Sequence, residues 1–207
     1  MYGSPRTDRG SSNTFDKQYL PEKVLNYNTN ARKNCMKTLV VYSTRTGNTK
    51  LVADAIAAEL SADIFSVDEA PADVSAYDFV VVGYWVDRGL PNKESREYLE
   101  KLTNARIGIF GTLGAFPHSP HARDCIRQAA DLCSQAEKKN AILVNWMCQG
   151  KVDPVLIEMM AKMAPQVHPM TPERIALLEE ASKHPDDADL ASARAVFGAA
   201  AKSPMFK

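Results

Sequence analysis

The chain has 207 residues, 45 % of them hydrophobic and 24 % charged, with 25 Lys or Arg against 25 Asp or Glu. That length suits one well-buried α/β core and is too short for two ordinary domains with linkers, while the composition excludes a wholly disordered chain. The balanced charge singles out no nucleic-acid or other polyionic partner, and no apolar run approaches the ~20 residues that a membrane span requires.

Residues 1–35 are rich in Asn, Ser, Arg, Thr and Gly and show no sustained helix or strand period. They read as a disordered N-terminal extension. Met36, which opens the first convincing strand, is either an internal residue or the natural start. In the second case the core carries 19 Lys or Arg against 22 Asp or Glu and is mildly acidic. The polar N-terminus has no apolar segment of the signal-peptide kind, so a cytoplasmic location is expected.

From Met36 the sequence alternates short apolar runs with helical patterns, the form taken by βαβ units around a parallel sheet. The runs fall at 38–43, 63–67, 79–84, 106–111 and 141–147. Four are almost continuously apolar, as parallel strands covered on both faces must be, whereas Ile64-Phe65-Ser66-Val67 is weaker and suits a sheet edge. Helices are expected at 50–60, with Val52, Ile56 and Leu60 on one face, at 93–102, and over a long stretch at 120–138. Asp153-Pro154 supplies an N-cap followed by Pro, and Val155, Met159 and Met163 then repeat at four-residue spacing, the helix expected to close the fold. Thr171-Pro172-Glu173 and the 186–189 region open two further helices. These pack on the domain as cover or form a dimer or partner surface.

The strongest functional signal is Val40-Val41-Tyr42-Ser43-Thr44-Arg45-Thr46-Gly47-Asn48-Thr49, which runs from a strand into a helix continuing through Ala53 and Ile56. A helix N-terminus leaves N–H groups unpaired and carries partial positive charge, so hydroxyls and a glycine placed there can surround a phosphate. Thr44, Thr46 and Thr49 supply hydroxyls and Gly47 lets the backbone approach. The Gly-Lys-Ser/Thr ending of a Walker loop is missing.

These residues resemble the flavodoxin family signature: an aliphatic pair and an aromatic, then Ser/Thr, a small residue and Thr, then Ala and an aliphatic residue in the helix. The resemblance implies a flavodoxin-like three-layer α/β sandwich with FMN as cofactor. Its five-stranded parallel order 2-1-3-4-5, with FMN at the switch between strands one and three, is that of flavodoxin itself and is carried over with the resemblance. The implied organisation is an FMN-binding domain at 36–165 and a helical C-terminal extension at 166–207. The chain is also similar, without a diagnostic motif, to the short flavodoxin-like proteins that accompany bacterial bilirubin reductases.

The resemblance implies a cofactor site made of three loops. The first is Ser43, Thr44, Arg45, Thr46, Gly47, Asn48 and Thr49. The second follows strand three: Tyr84, Trp85, Val86, Asp87, Arg88 and Gly89. There Trp85 or Tyr84 would stack on the isoalloxazine. Gly89 would supply the mobile peptide near flavin N5, while Arg88 is either a cation near the flavin N1 edge, able to raise the reduction potential, or a solvated loop arginine. The third follows strand four: Thr112, Leu113, Gly114, Ala115 and Phe116, with Phe116 a second stacking candidate. After strand five, Gln149 and Lys151 either reach the flavin or a substrate or form a tight turn at Gly150.

No catalytic side chain and no metal ligand set is expected. His118 and His121 lack a completing carboxylate or Cys, and Cys125 and Cys133 stand roughly 12 Å apart on a helix, beyond disulfide reach. Three functions fit. The first is an FMN protein carrying electrons between a donor and an acceptor reductase, with a homodimer through the C-terminal helices as one arrangement. The second is an FMN-dependent oxidoreductase or reductase subunit acting on an organic acceptor, and the third a flavin-free interaction scaffold.

Overall fold

The computed structural model describes residues 36–167 and 169–204. The N-terminal extension expected at 1–35 lies outside the described residues. Five strands run parallel: β1 (Thr38–Tyr42), β2 (Asp63–Ser66), β3 (Phe79–Asp87), β5 (Arg106–Leu113) and β6 (Ala141–Gln149). Their order is β2-β1-β3-β5-β6, with the two-residue β4 (Leu90–Pro91) antiparallel to β3 at one end. Counting only the parallel strands, this is the order 2-1-3-4-5. The helices are α1 (Asn48–Leu60), α2 (Lys93–Lys101), α3 (Pro120–Asp131), α4 (Pro154–Met163), α5 (Pro172–Ala181) and α6 (Asp187–Ala201).

Alternation along the strands divides the core into two layers. On one face Leu39, Val41, Val80, Val82, Tyr84, Ile107 and Ile109 meet Tyr98 and Leu99 of α2 and Ala122, Cys125 and Ala129 of α3. On the other, Val40, Phe79, Val81, Phe110 and Cys148 meet Val52, Ala53 and Ile56 of α1 and Ala193 and Phe197 of α6. Two glycines make room for the aromatics of this second layer. A Cβ on Gly83 would lie 2.1 Å from Phe110 Cζ, and one on Gly108 would lie 2.8 Å from Phe197 Cε1.

Three elements differ from the sequence reading. The long third helix stops at Asp131, and a short 3-10 turn at Ala136–Lys138 follows. The break is fixed by Asn140, whose amide donates to the carbonyls of Leu102 and Cys133 while its carbonyl accepts from Ala105 N–H, bringing β6 alongside β5. Strand β4 was not foreseen. It exists because Arg88 (φ 51°) and Gly89 (φ 85°) form a two-residue turn that folds Leu90 back onto Asp87. Finally, the helix expected to close the sandwich, α4, has no buried residue, and α6 takes that place through Ala193, Phe197 and Gly198.

The free thiols of Cys125, Cys133 and Cys148 are all buried. Burial pushes the Cys133 thiol up to about 11 and raises those of Cys125 and Cys148 as well. Among the described residues no helix is long and apolar enough to cross a membrane.

Phe197 joins α6 to the sheet with an edge-on contact to Phe110 at 6.1 Å between ring centroids. Phe197→Ala should lower the unfolding free energy by about 3–5 kcal/mol, read as a lower urea midpoint at unchanged slope.

Candidate functional site

The carboxyl ends of β1, β3, β5 and β6 open on one edge of the sheet, and the loops leaving them form the site. The first loop turns tightly. Thr44 Oγ1 accepts from Gly47 N–H at 3.0 Å, and Ser43 N–H donates to Gly83 O at 3.1 Å. Gly47, the N-cap of α1, has φ +90°, a conformation that L side chains rarely adopt, and the space its Cβ would fill is open. The first backbone bond of the helix runs from Leu51 N–H to Gly47 O. The N–H groups of Asn48, Thr49 and Lys50 therefore precede the helical ladder and form the positive end of its dipole. The buried Thr49 hydroxyl shares a hydrogen bond with Thr112 at 2.9 Å, fastening α1 to the end of β5.

Asn92, just before α2 and almost wholly buried, fixes the second loop to the first. Its side-chain amide donates to Ser43 Oγ and to Glu94, each at 2.8 Å, and its carbonyl accepts from Trp85 N–H at 3.3 Å. Its own N–H donates to Trp85 O. Both ends of the Trp85 peptide are thus held.

Between these loops lies an open cleft. Arg45, Thr46 and Asn48 line one side, Trp85, Val86, Thr112, Leu113 and Gly114 the floor and far wall, and the segment from Gly150 to Asp153, with Leu156, the remaining side. The post-β6 segment is tied directly to the first loop. Lys151 O accepts from Asn48 Nδ2 at 2.9 Å and from Thr46 Oγ1 at 3.2 Å, and Arg45 Nε pairs with the Asp153 carboxylate at 2.9 Å. That hydrogen bond from Arg45 is the main reason the Asp153 carboxyl lies below its ordinary range. The Arg45 guanidinium also sits 5.7 Å from the Trp85 ring centroid. Val152 lies against Gly114, where a Cβ would come within 2.3 Å of its methyl group.

Behind this segment, Lys151 N–H donates to His184 O, and His184 Nδ1 lies 2.5 Å from the Asp189 carboxylate. Glu180 approaches the other imidazole nitrogen at 3.5 Å. The Asp189 hydrogen bond, ahead of the charge contacts, raises the His184 pKa.

Of the residues expected from sequence, Arg45, Thr46, Asn48, Trp85, Val86, Thr112, Leu113 and Gly114 line the cleft. Ser43, Thr44, Gly47 and Thr49 shape its polar end. The others are not brought together there. Tyr84 is fully buried in the opposite layer of the core, its hydroxyl 3.5 Å from Cys125 O, because adjacent strand residues face opposite sides of the sheet; it has no flat face to offer a ligand. Asp87, Arg88 and Gly89 form the tip of the β3–β4 hairpin, with Asp87 and Arg88 exposed and Gly89 O accepting from Gln128. Ala115 and Phe116 lie past the cleft wall, Phe116 54 % exposed.

Sequence reasoning missed Asn92, Val152, Asp153 and Leu156 as site residues. Asp153 carried a signal, but one that reads as a helix cap, and it does cap α4 by accepting from Val155 N–H. Gln149 is buried, and its Nε2 has no hydrogen-bond partner among the described residues.

The flavodoxin-domain family model matches residues 39–198, which span the sheet, the loops and α6. The chain belongs to the flavodoxin domain family. This flavodoxin domain is 35 % identical over 163 residues to the flavodoxin-like domain-containing protein BilS of Clostridioides difficile (strain CD3), covering 75 % of this chain and 90 % of the relative. It is 37 % identical over 86 residues to the uncharacterized protein MJ0298 of Methanocaldococcus jannaschii, covering 40 % of this chain and 57 % of that one. Among solved structures, oxidised flavodoxin 2 from Bacillus cereus superposes with a TM-score of 0.46 at 16 % identity, over 77 % of this chain and 97 % of that chain.

FMN, which the family resemblance implies, fits the residues present. Its phosphate would meet the first N–H groups of α1 beside Thr44, Thr46 and the Gly47 opening, and its ring would meet the apolar wall of Trp85, Val86 and Leu113.

Asn92→Ala should destabilise the fold by about 1–3 kcal/mol, because it strips several partners from groups held inside the protein, and it should broaden the Trp85 indole resonance in a heteronuclear NMR spectrum. The raised His184 pKa gives a second expectation. Its contribution to stability is complete below the unfolded value of 6.5 and is lost as pH rises through the higher folded value. The urea midpoint should therefore fall on going from pH about 6 to about 8, and His184→Asn should remove that part of the slope.

Proposed function

We propose that this flavodoxin domain binds FMN in the Arg45–Trp85 cleft and passes electrons from a donor reductase to an acceptor reductase, in the cytoplasm. The observation that carries the reading is the union, in one cleft, of an open helix N-terminus with a flat apolar wall. FMN supplies one- and two-electron redox chemistry when bound, which no side chain in the cleft provides.

The protein's residues do the rest. The N–H groups at the start of α1, with Thr44 and Thr46, receive the phosphate, and Arg45 adds a cation at the mouth. Trp85 and Val86 exclude water from one face of the ring, and Asn92 holds the Trp85 peptide against displacement. The Thr49–Thr112 hydrogen bond keeps the phosphate end and the ring end at a fixed separation. The near-balanced charge of the whole chain favours recognition of partners through shape and apolar contact over long-range steering. The C-terminal helices offer the surface for self-association.

One feature supports the second reading, an FMN-dependent oxidoreductase acting on an organic acceptor. An open groove between α4 and α5, lined by Ile157, Met170, Ile175 and Leu178, shares Lys151 and Val152 with the cleft. An apolar acceptor seated there would lie beside the cofactor without a second protein.

Titration of the purified chain with FMN, followed by visible absorption, should show saturable one-to-one binding. Trp85→Ala should weaken it about tenfold, and Gly47→Val, which places a branched side chain at positive φ, by more. Absence of FMN binding by the folded chain would overturn the proposal and leave the scaffold reading. Anaerobic reduction of the loaded protein by NADH or NADPH without an added reductase, followed by turnover of a quinone, would replace the carrier reading with the enzyme reading.

A further inference from the structure

Helix α4 presents an anomaly that the cofactor site does not use. Six of its ten residues are Val, Leu, Ile or Met, yet none is buried. A helix so apolar is ordinarily covered by other protein, and exposed apolar patches mark contacts. Its inner side is accounted for, because Leu156 lines the cleft and Ile157 the adjoining groove. Its outer side is not. Val155, Met159 and Met163 repeat at four-residue spacing and are 70 %, 45 % and 78 % exposed.

Glu158 and Lys162 flank this stripe on one side, at about 100° and about 60° around the helix from Met159. They pair with each other along the helix at 2.5 Å, and both are more than two-thirds exposed.

We propose that the outer face of α4 is the contact between two copies of this chain, with the two α4 helices crossing antiparallel about a two-fold axis at Met159. The pattern of the face selects this occupant. A two-fold at Met159 sets that residue against its own copy and brings Val155 level with Met163 of the second copy. The same rotation keeps the charged side of one helix on the charged side of the other. Glu158 then comes within two residues of helical rise, about 3 Å along the axis, of Lys162 in the second copy, and the reciprocal pair forms as well. A face that is complementary to itself under rotation is what an isologous interface requires.

The apolar stripe supplies the driving force and the charges set the direction, since exposed pairs alone contribute little. Each cleft borders the first turn of its own α4, so the two clefts lie at opposite ends of the paired helices. This inference places self-association on α4 instead of on the helices at 166–207, and it stands apart from the electron-transfer reading.

Sedimentation equilibrium of the full chain should show a concentration-dependent dimer. Met159→Glu should give a monomer with an unchanged circular dichroism spectrum. Glu158→Lys and Lys162→Glu should each raise the dimer dissociation constant about tenfold by setting like charges opposite each other, whereas an equimolar mixture of the two variants should associate as tightly as the unaltered chain. That rescue by mixing is not expected from a change within one helix. An unaltered chain that stays monomeric at the highest concentration reached would overturn self-association and reassign the stripe to a different protein. A dimer indifferent to Met159→Glu would move self-association to another face and overturn the α4 contact. Failure of the mixture to gain affinity would overturn the antiparallel register.

Discussion

Burial of the central strands on both faces is the constraint from which the rest of the structure follows. Leu39, Val40 and Val41 of β1, and Val80 to Val82 of β3, alternate between two layers that are each closed to water. A strand of that kind needs helices above and below it, and parallel neighbours need crossovers to return the chain to the same starting edge. All the strand ends that carry loops of consequence therefore arrive together. The Thr44–Thr49 loop, the Trp85 loop, the Thr112–Gly114 turn and the Gly150–Asp153 segment meet because the hydrophobic core leaves them no other edge.

Within that edge, short polar contacts do the fine positioning. Thr49 to Thr112, Asn92 to Ser43 and to the Trp85 backbone, and Lys151 O to Thr46 and Asn48 each join two loops leaving different strands. No loop of the cleft is set by its own sequence alone. The segment leading into α4 is joined to the first loop by polar contacts as well, through Asp153 and Lys151 O, which hold the two in register.

The fold was legible in the sequence to the extent that its determinants are local. The apolar runs of β1, β3, β5 and β6 stand out because doubly buried strands tolerate almost nothing else, and the starts of α4, α5 and α6 stand out because Asp153, Thr171 and Asp186 are caps followed by Pro or acidic residues. The polar end of the site was equally plain, since Gly47 and its neighbouring hydroxyls form a continuous motif. What was not legible depends on distance in sequence. Arg45 and Asp153 are 108 residues apart, and Asn92 meets Ser43 across 49. The choice between Tyr84 and Trp85 turned on strand phase at the end of β3, where a run of apolar residues conceals which side is which. The exchange of roles between α4 and α6 was hidden for a related reason: both are apolar, and only the three-dimensional position of Phe197 decides which one covers the sheet.

The buried thiols have a bearing on chemistry beyond packing. Burial pushes the Cys133 thiol up to about 11 and raises the Cys148 thiol as well, so both are held in the protonated form at neutral pH. Thiol oxidation and disulfide exchange both proceed through the thiolate and both require access. An accessible thiolate would give up electrons to a peroxide or exchange with a disulfide. Enclosing Cys125, Cys133 and Cys148 in the two apolar layers keeps that side path slow without removing the small, polarisable side chains that fill those layers.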